Sequence, residues 1–420
     1  MKIALSLLAV IMFAGSPAVA RTPEQIAAAA LNAAPVFDGH NDVPEQLRER
    51  RGNRIDGFDF ADTSGTATAQ SKVMHTDLTR LRKGRVGAQF WSVWVDSALP
   101  EPQAVVQVLE QIDVTKRLIA RYPKDMTLVT SASEVEAAMN AGRIASLIGM
   151  EGGHSIGSSL GILRQMHALG ARYMTLTHFN NTPWADAATD APAHDGLTDF
   201  GRDIVREMNR LGMLVDLSHV SEATMNDALD VAKAPVIFSH SGARSLNGHA
   251  RNVPDTVLDR LKANGGIVMV TFVPDYVSED VRNWEAAKSA EEARAKSLHI
   301  GNPEAAAGAL AEWVAANPRA LATTSQVADM VDHIRARIGT DHIGVGGDFD
   351  GISTVVAGLE DVSTYPALFT ELARRGYTQA ELMKISNANM LRVMRAAEAY
   401  AKAQAGVPPS EAMQIAGKEN

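Results

Sequence analysis

The sequence predicts a (β/α)8 TIM barrel, an α/β fold in which eight parallel strands alternate with helices around one closed sheet. Eight apolar runs of strand length recur along the chain, and most are separated by stretches with helical periodicity. These runs are continuously apolar, which is typical of parallel strands covered on both faces. The length of 420 residues fits one large barrel, and a content of 46% hydrophobic and 21% charged residues is ordinary for a globular protein.

The first residues have the pattern of a secretory signal peptide. Lys2 supplies a basic start, Ile3–Ala14 is an apolar run too short to span a membrane, and Ala18-Val19-Ala20 is a small-residue cleavage signal. We therefore expect a signal peptide at residues 1–20 and a single barrel domain at residues 21–420. We expect a bacterial protein that is periplasmic or secreted, with no membrane anchor in the mature chain.

Charge and cysteine content narrow the functional classes. The net charge is −9 and the pI is about 5.8, without a basic stripe or a lysine-rich run. We therefore expect no nucleic-acid partner. The chain contains no cysteine, so disulfides and thiolate metal ligands are excluded. Any bound metal has to rely on histidine, aspartate and glutamate side chains.

The elements follow one another in the order that a barrel requires. The predicted strands are Val36–Asp38, Gly87–Val95, Ile144–Met150, Arg172–Thr177, Met213–Leu217, Pro235–Phe238, Gly266–Val273 and Ile343–Val345. The predicted helices are Thr22–Ala34, Pro102–Arg121, Leu160–Gly170, Gly201–Leu211, Ser221–Lys233, Val253–Asn264, Val327–Ile338 and a closing group within Thr378–Ala401. Aromatic and β-branched residues favour the strand at Gly87–Val95. Ser221 is a suitable N-cap for its helix, and Gly170 is a suitable helix end.

Two longer segments do not fit the strand–helix alternation. Residues Glu49–Arg85 are polar and contain glycines, and they predict a long loop with a short helix. Residues Tyr276–Asn317 are charged and rich in alanine, with a break at Asn302-Pro303. This second segment predicts a helical insertion after the seventh strand and not a separate domain.

Ionisable residues stand at the carboxyl ends of six of the predicted strands. In chain order they are His40, Asp42, Glu151, His178, His219, His240 and Asp348. Taken singly, each could be a hydrogen-bonded structural histidine, a turn aspartate or a helix-terminal charge. Together they would face the same mouth of the barrel, where the active sites of such barrels lie. A set that contains several like charges requires a cation between them, so it predicts a metal centre.

The number of candidate ligands favours two metal ions. Six of the seven residues, all but His178, exceed the three protein ligands of a typical single catalytic zinc. We expect His40 and Asp42 on one ion, His219 and His240 on the other, and Glu151 as the bridging carboxylate. Two such ions would acidify a shared water to a bridging hydroxide.

The remaining charged residues at the mouth then have expected roles. Asp348 would carry the proton, and His178 would donate a hydrogen bond to the developing oxyanion. Arg251, eleven residues past His240, is either a surface arginine or a fork for a substrate carboxylate. Trp91 and Trp94 are interpreted as core residues.

These residues lie in motifs that resemble the membrane dipeptidase family, the renal dipeptidase-like zinc metallopeptidases. The motifs are DGHNDVP at Asp38–Pro44, EGGHSIG at Glu151–Gly157, RYMTLTHFNNTPWAD at Arg172–Asp186, VDLSHVS at Val215–Ser221, PVIFSHSGARSLNGHARNVPD at Pro235–Asp255 and GVGGDFDG at Gly344–Gly351. The resemblance implies a barrel of the metal-dependent hydrolase type with two zinc ions, and it assigns the ligands as above. It also implies that His178 and Arg251 hold the substrate, that Asp348 is the acid and base, and that the chain forms homodimers.

The expected activity is hydrolysis of dipeptides, with L,L substrates and L,D substrates both admitted by the resemblance. The alternative is another binuclear barrel amidohydrolase that acts on N-acyl amino acids, β-lactams or lactones. Arg251 favours a substrate with a carboxylate over a neutral ester. A non-catalytic metal-binding protein is disfavoured because a structural metal would need no proton carrier such as Asp348.

Overall fold

The computed structural model describes residues 21–69 and 71–414. The predicted signal peptide, at residues 1–20, lies outside the described residues.

The strands are β1 (Val36–Asn41), β2 (Val86–Trp94), β3 (Met126–Leu128), β4 (Ile144–Glu151), β5 (Ala171–Thr175), β6 (Leu214–Asp216), β7 (Ile237–Ser241), β8 (Ile267–Val270) and β9 (Ile343–Val345). The helices are α1 (Pro23–Ala33), α2 (Val43–Arg51), α3 (Leu78–Lys83), α4 (Glu101–Arg121), α5 (Ala132–Asn140), α6 (Leu160–Ala168), α7 (Asp199–Leu211), α8 (Glu222–Val231), α9 (Asp255–Asn264), α10 (Pro274–Val277), α11 (Glu279–Leu298), α12 (Pro303–Ala316), α13 (Thr324–Ile338), α14 (Tyr365–Arg374), α15 (Gln379–Met383) and α16 (Asn389–Ala403).

The sheet closes into a barrel, which confirms the predicted fold class. Its strand order is β2-β1-β9-β8-β7-β6-β5-β4-β3, and a further pairing of β2 with β4 completes the circle. All neighbouring strands run parallel. The short β3 lies outside the closed ring and pairs with the beginning of β4. The eight remaining strands direct their carboxyl ends to one mouth.

The barrel interior is packed with aromatic and aliphatic side chains. The rings of Phe37 and Phe90 lie 5.5 Å apart, and the ring of Tyr173 lies 4.7 Å from that of Phe90. Gly149 leaves the room that the Tyr173 ring occupies, because a Cβ at this position would overlap the ring. The Tyr173 hydroxyl thereby reaches upward to the mouth, where it contacts His40.

Some elements differ from the predicted ones for identifiable reasons. Helix α2, which occupies Val43–Arg51, was not predicted: no element was assigned to residues 43–48, although Pro44 is well suited to the first turn of a helix. The short β3 and α5 were also missed, since three and nine residues give little periodicity. Strand β7 extends to Ser241 and not only to Phe238, so Ser239 and His240 belong to the strand itself.

Helices α10, α11 and α12 occupy the segment between β8 and α13, where the sequence predicted helical structure. Among the residues that the structure describes, no helix has the length and the apolar character needed to cross a bilayer.

Candidate metal centre and substrate cavity

All seven predicted site residues meet at the carboxyl-end mouth. His40 and His240 are the penultimate residues of β1 and β7, Asp42 follows β1 directly, and Glu151 ends β4. His178, His219 and Asp348 lie three residues beyond the ends of β5, β6 and β9. His219 and Asp348 have positive φ angles of 70° and 59°, a conformation that is uncommon for residues other than glycine.

The Glu151 carboxylate lies at the centre of the site, and its two oxygens face different histidines. Oε2 is 3.3 Å from His40 Nε2 and accepts a hydrogen bond from the Ser92 hydroxyl at 3.1 Å. Oε1 is 2.9 Å from His219 Nε2 and 3.4 Å from His240 Nε2. Burial opposes its ionisation, but the neighbouring histidines hold the pKa of Glu151 well below its ordinary value. A carboxylate in this position is suited to bridge two cations.

One group of potential ligands surrounds His40. Its Nε2 is 3.4 Å from Asp42 Oδ2 and 3.9 Å from Asp348 Oδ1. Asp42 is the N-cap residue of α2 but makes no capping bond, because its carboxylate turns into the site. His40 Nε2 and both Asp42 oxygens are buried without a hydrogen-bond partner among the described residues. Buried polar atoms without partners are costly, and a cation held between them would satisfy all three.

The second group is formed by His219 and His240, whose Nε2 atoms are 2.9 Å apart. Burial lowers the pKa of both imidazoles well below the ordinary value, and the positive Arg251 lowers both further. Both rings are therefore neutral, which is the form that binds metals. Neutral histidine and carboxylate groups are the ligands that zinc takes when no thiolate is present, so the residues fit this metal.

Hydrogen bonds beneath the site fix the tautomers of two of these histidines. The Ser239 hydroxyl donates to Asp216 Oδ2 at 2.5 Å and lies 2.9 Å from His240 Nδ1. Since the Ser239 hydrogen is directed to Asp216, His240 Nδ1 must donate to Ser239, and its Nε2 lone pair faces the site. The Tyr173 hydroxyl donates to the Gly39 carbonyl at 3.4 Å, so it accepts a hydrogen bond from His40 Nδ1 at 2.9 Å. Such partners orient metal ligands and set their tautomers.

His178 has the opposite tautomer, because Trp94 donates to it. The indole Nε1–H of Trp94 lies 3.0 Å from His178 Nδ1, and an indole can only donate. Burial lowers the pKa of His178 to about 4, so the ring is neutral and carries its hydrogen on Nε2. That nitrogen is 3.7 Å from Glu151 Oε1 and points into the mouth as a donor. His178 is therefore suited to bind a substrate oxygen and not to bind a metal.

Trp94 was predicted to belong to the core, and this is wrong. It lines the cavity and is half-buried, whereas Trp91 is 1% exposed and packs in the core as predicted. The difference arises because side chains alternate along a strand, so Trp91 and Trp94, three residues apart, face opposite sides of β2, and Trp94 lies at the mouth, where it pairs with Glu151.

Substituting Trp94→Phe should lower kcat/KM about tenfold, because the loss of one hydrogen bond lets His178 adopt the unproductive tautomer. The metal content and the melting temperature should stay close to the native values. Trp284→Phe is the matched control, since its indole also donates a hydrogen bond but lies on α11, outside the cavity lining. Equal kcat/KM for Trp94→Phe and this control would show that the Trp94–His178 bond has no role in the reaction.

Arg251 is fully buried at the edge of the site and has no carboxylate partner. Its guanidinium donates to the Ser241 hydroxyl at 3.4 Å and to the His240 carbonyl at 3.3 Å, and it lies 5.3 Å from the centre of the Tyr276 ring. No aspartate or glutamate among the described residues forms an ion pair with it. The alternative of a surface arginine is thus wrong, since Arg251 is 0% exposed. A buried cation without a counter-ion favours the binding of an anion.

The site opens into one cavity of about 270 Å³. Its walls come from Glu45 and Phe179, from residues 273–276 at the start of α10, and from residues 351–354 after β9. The other lining residues are those of the site itself: Asp42, Trp94, Glu151, His178, His219, Arg251 and Asp348. Gly351 lies against the ligand carboxylates, where a Cβ would collide with those of Asp42 and Asp348. The cavity therefore has the size for a small molecule that contacts the candidate metal ligands and Arg251 together.

A protein-family model and the sequence of a known relative both match this chain over most of its length. A family model described as membrane dipeptidase, peptidase family M19, matches residues 24–407. Dipeptidase 3 from Macaca fascicularis is 41% identical over 383 residues, which cover 90% of this chain and 68% of that protein.

Two solved structures share the fold. The probable dipeptidase PvdM from Pseudomonas aeruginosa has a TM-score of 0.75 at 23% identity, over 90% of this chain and 99% of that one. A metallopeptidase from Rhodobacter sphaeroides, solved with a phosphinate mimic of the dipeptide L-Ala-D-Ala, has a TM-score of 0.69 at 24% identity, over 87% of this chain and 99% of that one.

Proposed function

Because the chain belongs to the membrane dipeptidase family, peptidase family M19, we propose that it is a zinc-dependent dipeptidase that hydrolyses the peptide bond of free dipeptides in this cavity. The observation that carries the substrate class is the buried, unpaired Arg251 beside the cluster of metal-ligand candidates. A dipeptide places a free carboxylate one residue from its peptide bond, so a small cavity can contact both.

We assign the metal ligands as follows. His40 and Asp42 would hold one ion, His219 and His240 the other, and Glu151 would bridge the two. The separate orientation of the two Glu151 oxygens and the unpartnered atoms of His40 and Asp42 support this arrangement. When bound, two divalent ions would lower the pKa of a water molecule toward neutrality and polarise the peptide carbonyl.

The chain's own residues then bind the substrate and move the proton. Arg251 would bind the terminal carboxylate through two parallel hydrogen bonds. His178 Nε2–H would donate to the carbonyl oxygen as negative charge develops on it. Asp348 would take the proton from the attacking water and transfer it to the leaving amine. Burial raises the pKa of Asp348 well above its ordinary value, and the carboxylates of Asp42 and Glu151 raise it further against the opposite effect of His40. A carboxyl group with a raised pKa is better able to hold the proton before it passes to the leaving amine.

Metal analysis combined with a substrate panel tests this function. We expect about two zinc ions per chain, cleavage of L-Ala-L-Ala and L-Ala-D-Ala, loss of cleavage with chelator and recovery when zinc is restored. N-acetyl-L-alanine, a β-lactam and a lactone are the comparison substrates. Two bound metals with cleavage of a comparison substrate and of neither dipeptide would favour the other amidohydrolases. Absence of metal, with no activity after zinc is added, would contradict the assignment.

We further propose that the mature chain begins at Arg21, is exported, and forms homodimers. The basic, apolar and small-residue pattern of residues 2–20 supports export, and the family resemblance supports the dimer. Mass spectrometry of the protein recovered from the periplasm would identify the first residue, and size-exclusion chromatography with light scattering would give the mass in solution.

A further inference from the structure

Glu45 is an acidic residue of the cavity that has no role in the assignments above. It lies in the first turn of α2, three residues after the ligand candidate Asp42, and lines the cavity half-buried. Its carboxylate makes no hydrogen bond and no ion pair with any residue in the described part of the chain. A carboxylate that faces a cavity without a partner indicates a ligand that brings a donor or a positive charge.

The surroundings of Glu45 are strongly negative. Burial and the charges of Asp42, Glu151, Glu49 and Asp348 together raise the pKa of Glu45 to about 9, so its ionised form is unfavourable unless a cation lies beside it. The ion-pair partner of Arg48, one turn along the helix, is Glu49. Glu45 itself lies outside the proposed ligand set. A positively charged group that enters the cavity would favour the ionised form of Glu45 and pair with it.

The other acidic wall residue outside the proposed machinery is Asp275, and its setting differs. Arg319 and Arg251 both lie near enough to Asp275 to lower its pKa against the effect of burial. The cavity consequently has a cation at the end where Arg251 lies beside the histidines of β5 to β7. At the end beside β1 and β9 it has a carboxyl group without a cationic partner, Glu45.

Helix α2 is fixed to the site, so the position of Glu45 is defined. The Gln46 side chain donates to the Asp350 carbonyl at 2.6 Å, which joins α2 to the loop that carries Asp348. The Val43 amide donates to Asn41 Oδ1 at 3.1 Å at the start of the helix. A binding group on such a fixed helix can discriminate between ligands by charge.

We propose that Glu45 is a specificity residue that binds a positively charged group at the amino-terminal end of the substrate. This inference rests on the proposed function, in which Arg251 binds the carboxylate at the opposite end. The charge that Glu45 recognises has two chemical sources in a dipeptide: the free α-ammonium group, or the side chain of a basic first residue. Either source makes the cavity complementary to a short zwitterion and unfavourable to an N-acylated substrate.

The test compares the native protein with Glu45→Gln on substrate pairs that differ only in charge. L-Ala-L-Ala and its N-acetyl form differ in the α-ammonium, and L-Lys-L-Ala and L-norleucyl-L-Ala differ in the side-chain charge. Glu49→Gln is the matched control, because Glu49 lies on the same helix but is exposed to solvent. Metal content is measured for every variant.

If Glu45 binds the α-ammonium, Glu45→Gln should reduce the preference for free over acetylated peptide about tenfold to a hundredfold. If it binds a basic side chain, the same reduction should appear in the lysine-to-norleucine ratio. Glu49→Gln should leave both ratios unchanged. Ratios that change less than twofold in Glu45→Gln, with metals retained, would overturn the inference.

A binding measurement separates this inference from the proposed function. Calorimetry would measure the affinity of the phosphinate mimic of L-Ala-D-Ala and of its N-acetyl and N-terminal lysine forms. Comparison of the three affinities shows whether binding depends on a positive charge, without any turnover of substrate. A native protein that cleaves no dipeptide but shows a charge preference that Glu45→Gln removes would refute the proposed function and retain the role of Glu45. Cleavage by the native protein without such a preference would refute the role of Glu45 alone, and absence of both would refute both.

Discussion

Asp348→Asn is expected to lower kcat about 10²- to 10⁴-fold, the range that a positioned proton carrier typically contributes. Asparagine has nearly the same shape and tolerates the positive φ of 59° at this position, so the loop after β9 should keep its conformation. The amide cannot take the proton from the attacking water. The zinc content should remain that of the native protein, because the proposed ligands are unchanged. Steady-state kinetics on L-Ala-L-Ala with elemental analysis of the same samples measures both quantities.

A second aspartate provides the control for this substitution. Asp195 also has a positive φ, of 52°, but is exposed and lies outside the cavity. Asp195→Asn should leave kcat at the native value, which shows that the change of side chain in a left-handed conformation is harmless. Native turnover by Asp348→Asn would remove this residue from the mechanism. Loss of metal from that variant would instead make Asp348 a ligand, a role that its distance of 3.9 Å from His40 Nε2 leaves chemically reasonable.

The sequence predicted the fold and the meeting of the site residues because both follow from strand order. Parallel strands bring their carboxyl ends to the same mouth, so His219 and His240, one βα unit apart, had to lie close together. Their Nε2 atoms are 2.9 Å apart in the structure. The same reasoning brought Glu151 and Asp348 to the site without any knowledge of their contacts.

The partners that fix the tautomers could not be predicted, because they depend on register and side-chain direction. Trp94 reaches His178 only because β2 pairs with β4 so that Trp94 lies opposite Glu151. Tyr173 reaches His40 through the barrel interior, from a strand that is not adjacent to β1. The Ser239–His240 pair was visible in the sequence, but the carboxylate below it, Asp216, becomes a partner only after the strands pair.

The role of α2 was hidden by the local sequence. No element was predicted for residues 43–48, and the segment from Glu49 to Arg85 was predicted as a long loop with a short helix. In the structure Pro44 lies in the first helical turn, and the helix directs Glu45 into the cavity. The signal available in the sequence was the acidic residue three positions after a ligand candidate, which is one helical turn.

Arg251 decides between substrate classes, and its replacement tests the carboxylate-binding role directly. The sequence left its burial open, whereas the structure buries it fully, with its guanidinium hydrogen-bonded to a hydroxyl and a carbonyl and beside the Tyr276 ring. Arg251→Ala should weaken transition-state binding of a dipeptide by about 2–5 kcal/mol, since a desolvated charge pair is lost. This corresponds to a fall in kcat/KM of about 30-fold to several thousand-fold.

The specificity of that loss distinguishes carboxylate binding from a general structural defect. The native protein should prefer L-Ala-L-Ala over its C-terminal amide, because only the free dipeptide has a carboxylate that Arg251 can bind. Arg251→Ala should therefore lose activity on the free dipeptide but not on the amide, and most of the preference should disappear. Arg251→Lys should recover only part of it, since an ammonium group cannot form the two parallel bonds of a guanidinium. Arg260→Ala, on α9 and paired with Asp230 outside the cavity, should leave the preference intact. An unaltered preference in Arg251→Ala would mean that the buried cation serves the fold, and that the substrate carboxylate binds elsewhere or is not required.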